Sequence, residues 1–114
     1  MEVIFDSSQQ VFHLRNQKLS YLLQLERFGY VTHLYFGQRL EHYSGIATYP
    51  RIHRDFEVES VEFGADVRDF SVGNLLYEYS QYNRGDFRHP ALVLRHADGS
   101  TVSDFRYDRH KIVA

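Results

Sequence analysis

Clusters of turn-forming residues interrupt the chain so often that only short extended segments fit between them. Asp6-Ser7-Ser8-Gln9-Gln10, Arg15-Asn16-Gln17-Lys18 and Phe28-Gly29-Tyr30 separate four apolar stretches, at 3–5, 11–14, 19–26 and 31–40. In 19–26, Leu19, Tyr21, Leu23 and Leu25 recur at period two and define an apolar face. Ser20, Gln24 and Glu26 fall on the other face, with Leu22 as the exception. A helical period fits Leu22, Leu23 and Glu26, but the short segment and its flanking turns favour a strand. In 31–40, Val31, His33 and Tyr35 alternate with Thr32, Leu34 and Phe36, so both faces carry apolar groups, as in a sandwich. Nine Tyr and nine Phe with no Trp add to this reading, because both residues favour strands.

The second half is less regular. Residues 41–70 are rich in charge and turn formers and read as a long excursion, with one short strand near 57–63. A loop of that length inside a compact domain is often functional. Further strands are expected at 75–79 and in a closing hairpin, 91–96 with 101–107. Asp98-Gly99 there supplies the positive φ angles of a two-residue turn. The fold class expected is all-β, an antiparallel β-sandwich. The chain closes on Lys111-Ile112-Val113-Ala114, an apolar strand-like run expected of a chain cut within a larger protein.

Charge and composition exclude several functions. The net charge of −2 shows no basic stripe for nucleic acid and no polybasic membrane patch. No cysteine is present, which removes disulfides and thiolate chemistry and favours a reducing cytoplasm. The acidic N-terminus, with Glu2 and Asp6, does not read as a signal peptide. The seven histidines match no metal-ligand spacing, and no nucleophile elbow or glycine-rich phosphate loop occurs. Solvated turns account for the carboxylate pairs Asp66/Asp69 and Asp104/Asp108. Arg84-Gly85-Asp86 spells an adhesion tripeptide, expected to be a coincidence because the N-terminus does not read as a secretion signal.

Four stretches together form a pattern: SYLLQLERFGYVTHLYFGQRL (20–40), YPRIHRDF (49–56), LLYEYSQYNRGDFRHPALVLRHADGS (75–100) and TVSDFRYDRHKIV (101–113). Their order and spacing resemble the N-terminal region of family-36 glycoside hydrolases, the bacterial α-galactosidases. The resemblance implies a truncated supersandwich-type N-terminal domain, residues 1–114, of a larger enzyme whose catalytic (β/α)8 barrel lies outside this chain. The parent would hydrolyse terminal α-galactosides such as melibiose and raffinose with retention, using two barrel aspartates about 5 Å apart. No catalytic residue, metal or cofactor is then expected within these 114 residues. The partners implied are the sugar substrates and further copies of the enzyme, as a homo-oligomer that is tetrameric in the parent.

The resemblance also assigns residues. The loop of this domain can reach a neighbouring subunit's active site, where family members present an aspartate and an arginine. Arg68 matches the arginine. His53 stands at the aspartate's place, with Asp55 nearby as its substitute. The stretch 81–91 becomes a corner built from Asn83, Gly85, Asp86, Arg88 and Pro90. The family has glycine where this chain has Asn83, and a left-handed turn would accommodate both. Asp86 would hold backbone amides or an arginine, Arg88 or Arg106, and Pro90 would enter the next strand at its first residue. Two other functions fit a domain of this kind: a free-standing carbohydrate-binding module, or an interaction module that pairs through exposed strand edges.

Overall fold

The computed structural model describes residues 1–45, 63–64, 66–67, 69–83 and 85–113. The chain divides into two compact units, Met1–Thr48 with Arg106–Ala114, and Tyr49–Phe105. The all-β expectation holds. The first unit is built on an antiparallel sheet of four strands in sequence order: β1 (Glu2–Asp6), β2 (Val11–Arg15), β3 (Leu19–Leu25) and β4 (Val31–Gln38). Among the described residues the helical elements are three-residue 3-10 turns, such as Arg27–Gly29 and Val72–Asn74.

The first two turns read from the sequence close through their own polar side chains. Asp6 Oδ1 accepts from the Ser8 amide at 2.8 Å and the Gln9 amide at 3.0 Å. Asn16 Oδ1 accepts from the Lys18 and Leu19 amides, each at 2.8 Å. This is the local bonding that makes Asp and Asn turn residues. The third turn closes through the backbone: the Glu26 amide donates to the Tyr30 carbonyl at 2.7 Å, with Phe28 at φ 62° and Gly29 at φ 83°.

The faces differ from the sequence reading. Register places Ser20, Leu22 and Gln24 opposite Arg15, His13 and Val11, so these six share a face. That face holds the deepest burial in the unit: Leu22 is 0% exposed and Ser20 1%. The period-two face of Leu19, Tyr21, Leu23 and Leu25 is instead half-exposed, and Leu19 is 43% exposed. The reason is the path of the chain after β4. The Leu40 amide donates to Ser20 Oγ at 2.9 Å, and His13 Nε2 lies 2.8 Å from the same oxygen. The residues after β4 therefore meet the face that looks more polar, and hydrogen bonds satisfy the Ser20 hydroxyl and the His13 imidazole there. Burial also holds the His13 imidazole below the usual histidine range, with the Arg15 charge adding to the effect.

A bulge between Leu22 and Leu23 breaks the simple alternation of β4. Leu22 pairs with Tyr35 and Leu23 with His33, so Leu34 has no partner across the ladder. Beyond it Tyr35 falls on the buried face, while Phe36 joins Tyr21 and His33. The Tyr21 ring lies 5.5 Å from His33 and 5.9 Å from Phe36. At the other end of this aromatic face, Phe5, Phe12 and His110 gather with ring centroids 4.4 to 4.8 Å apart.

In the second unit the strands expected at 75–79, 91–96 and 101–107 do not form ladders. The turn at Asp98-Gly99 does form, but with three loop residues rather than two. The Gly99 amide donates to the His96 carbonyl and the His96 amide to the Ser100 carbonyl, each at 2.9 Å, and Gly99 has φ 84°. Beyond it the arms bond to the stretch at 80–82 instead of to each other. The Ala91 amide reaches the Ser80 carbonyl at 2.9 Å, the Ser103 amide the Tyr82 carbonyl at 2.7 Å, and the Phe105 amide Gln81 Oε1 at 2.9 Å. Val93, Val102 and Phe105 remain exposed, so neither arm has an apolar face buried enough to hold a ladder. The core of this unit lies elsewhere, around Phe63, Phe70, Val72 and Leu75, all buried. The strand expected near 57–63 lies outside the described residues apart from Phe63.

Candidate functional site

His53, Asp55 and Arg68 lie outside the described residues. What the structure describes is how the chain is held on either side of them. On the N-terminal side, Gln9 Nε2 donates to the Tyr43 carbonyl at 3.0 Å, and Gln9 Oε1 accepts from the Gly45 amide at 3.2 Å. Asp6 Oδ2 accepts from the same Gln9 amide group at 2.8 Å. Asp6 thus orients Gln9, and Gln9 grips the backbone where the excursion begins. The Ser8 hydroxyl and the Gln9 side chain hold the Asp6 carboxyl down at about 2, against an ordinary 3.8. A depressed carboxylate stabilises the fold fully above the ordinary value and loses that contribution as pH falls through the folded one. The Asp6 clamp is therefore expected to weaken between pH 3.8 and about 2. Asp6→Asn should flatten the acid limb of a melting curve recorded over that window. An unchanged acid limb would show that Asp6 does not titrate with folding.

On the C-terminal side the grip comes from the corner. Asp86 is buried, and its carboxylate is 0% exposed. Arg88 meets it with two parallel bonds, Nε to Oδ1 at 2.8 Å and Nη2 to Oδ2 at 3.1 Å, the fork geometry that suits guanidinium and carboxylate. The same guanidinium donates from Nη2 to the Val72 carbonyl at 3.2 Å and from Nη1 to the Leu75 carbonyl. Its carbon sits 5.0 Å from the Tyr77 ring centroid. Two carbonyls of one short turn are thus held by one side chain. The turn is also capped from within, since Ser71 Oγ accepts from the Gly73 amide at 3.3 Å.

The remaining corner residues take separate places. Gly85 has φ 86°, and its carbonyl lies 3.0 Å from where a Cβ on Gly73 would stand. Asn83 is not among the residues of positive φ, so the left-handed turn expected there falls on Gly85. Asn83 is held instead by Nδ2 donating to Asp104 Oδ1 at 2.7 Å. Pro90 is buried. Asp86 takes Arg88, while Arg106 belongs to the other unit and lies 5.2 Å from the Tyr30 ring. Sequence reasoning missed the Val72–Asn74 turn and assigned a strand just after it. The signal was present in Ser71-Val72-Gly73-Asn74, where three of four residues are turn formers.

Closer to the chain's start, the phenylalanines that flank Arg68 in sequence form a buried pair, Phe63 and Phe70, at 5.1 Å and nearly perpendicular. Among the described residues no three His, Asp or Glu side chains are placed to hold a metal ion, and no helix is long and apolar enough to cross a membrane.

Comparison with known proteins gives the family. The model of the glycosyl hydrolase family 36 N-terminal domain matches residues 29–114. The α-galactosidase AgaA of Geobacillus stearothermophilus is 40% identical over 112 residues, which cover 98% of this chain and 15% of that protein. The α-galactosidase Mel36A of Lactobacillus acidophilus is also 40% identical, over 95% of this chain and 14% of its own length. The crystal structure of the family-36 α-galactosidase AgaB from Geobacillus stearothermophilus superposes with a TM-score of 0.79 at 37% identity, over 97% of this chain and 14% of that one. The chain thus spans about 15% of the length of the curated relatives it matches. With the family model matched over most of its length, and the same fold recovered in a solved relative, this chain belongs to glycosyl hydrolase family 36, as its N-terminal domain.

Proposed function

We propose that this chain is the non-catalytic N-terminal domain of an α-galactosidase that hydrolyses terminal α-galactosides such as melibiose and raffinose with retention of configuration. The single observation that carries the reading is the family match, joined to 40% identity with an α-galactosidase across 98% of the chain. A structure of the relative AgaA in complex with raffinose, at 40% identity and a TM-score of 0.75, supports the substrate class. Retaining chemistry would come from two carboxylates about 5 Å apart on a barrel outside these residues. This domain supports assembly, consistent with the half-exposed aromatic face of its sheet, and it lends the loop of His53, Asp55 and Arg68 to a neighbouring subunit's sugar. Arg68 supplies hydrogen-bond donors to sugar hydroxyls. The His53 imidazole can accept or donate one.

The intact protein should release galactose from melibiose with the α-anomer formed first, as seen by proton NMR, while residues 1–114 alone give no turnover. An intact protein inactive on melibiose and raffinose alike would sink the reading. In the active enzyme, Arg68→Ala should raise KM about tenfold with a smaller change in kcat, the pattern of a lost binding contact. Titration of the isolated chain with galactose, melibiose and raffinose separates this from a carbohydrate-binding module, for which millimolar binding is the expected result.

A further inference from the structure

We propose that Asp86 and Arg88 are positioning residues for substrate, setting the place of the loop's C-terminal foot through the Val72 and Leu75 carbonyls. The proposal rests on the reading above that this loop faces a sugar. Three observations point to it. Arg88 spends its donors on both the Asp86 carboxylate and the two carbonyls, so the turn cannot shift without breaking charge-assisted bonds. Gly73, inside that turn, comes so close to the Gly85 backbone that a Cβ would lie 3.0 Å from the Gly85 carbonyl oxygen. The turn and the corner are therefore fitted to each other by shape as well as by charge. Third, the clamp lies four residues beyond Arg68 in sequence and two beyond the buried Phe70. A chain of four residues spans at most about 14 Å, so a displaced foot leaves little slack to restore a side chain's place. Arg88 itself need not touch substrate. An ångström of misplacement in a binding group costs far more in rate than its distance from the chemistry suggests.

The test is steady-state kinetics of the intact enzyme on raffinose, with melting and light scattering of every variant. Arg88→Ala should raise KM about tenfold, with a smaller change in kcat and the oligomer retained. Arg88→Lys keeps the charge but not the fork, and should fall between. Gly73→Ala leaves every charge in place and crowds the turn against Gly85, so it should also raise KM. It decides the matter if Arg88→Ala fails to fold. Where Arg68→Ala raises KM on its own, the Arg88→Ala/Arg68→Ala double variant should be no worse than Arg68→Ala, because the two then act through one contact. Unchanged KM in Arg88→Ala and Gly73→Ala overturns the proposal, and so do effects of Arg88→Ala and Arg68→Ala that multiply when each alone raises KM. If Arg68→Ala is silent while Arg88→Ala raises KM, the positioning role stands and the Arg68 contact falls.

Discussion

Leu22→Ala should lower the unfolding free energy by about 3 kcal/mol in urea denaturation, within the range of about 2 to 5 for emptying a fully buried leucine site. Leu22 is 0% exposed. It lies between His13 and Tyr35 across the ladders, beside the bulge, where β2, β3 and β4 all contribute walls. Close-packed neighbours held by two ladders relax poorly into a cavity, which keeps the cost from falling to the transfer free energy alone. Against a typical total of about 5 to 15 kcal/mol, a loss of this size is visible as a large shift in midpoint. The contrast is Leu19→Ala, at a position 43% exposed, which should cost well under half as much. Leu23→Ala, on the half-exposed face, should fall between. If Leu23→Ala costs more than Leu22→Ala, the buried face of the sheet has been assigned to the wrong side.

Asp86→Ala should cost about 3 kcal/mol, through a different mechanism. The carboxylate is fully buried, whereas the Arg88 side chain is 38% exposed. Removing the acid leaves a guanidinium that can partly reach water, which holds the cost to the low end of the values for breaking a buried pair, about 3 to 5 kcal/mol. The Arg88 amide also loses an acceptor, at 3.2 Å. The charge can be relieved by removing it. Asp86→Ala/Arg88→Met should recover part of the loss, since deleting both partners is cheaper than stranding one. Thermal melts of the two variants check this. A double variant less stable than Asp86→Ala would mean that the bonds to Val72 and Leu75, not the pair with Asp86, carry most of what Arg88 contributes.

The family and the first four strands were legible in the residues, because turn chemistry is local. Asp6 and Asn16 close their turns by bonding amides two or three residues away, so the clusters that suggested turns also make them. The Asp86–Arg88 pair was equally near in sequence, two residues apart. Its grip on Val72 and Leu75 was not legible, because it joins positions 13 and 16 residues apart. The closing hairpin shows the converse. Its turn formed from Asp98-Gly99, yet its arms found Ser80, Gln81 and Tyr82 rather than each other, since alternation specifies a face but not a partner.

By itself, then, the sequence determined where the chain turns between the four strands of the sheet, that it is all-β, and which family it belongs to. Only the tertiary structure decided which face of the sheet is core. The choice fell on the side carrying Ser20 and His13, against the side with more leucines, because the chain after β4 meets that side and hydrogen-bonds Ser20 from Leu40. A period-two pattern records how apolar each face is. Burial depends on what arrives to cover it, and that is settled by contacts distant in sequence.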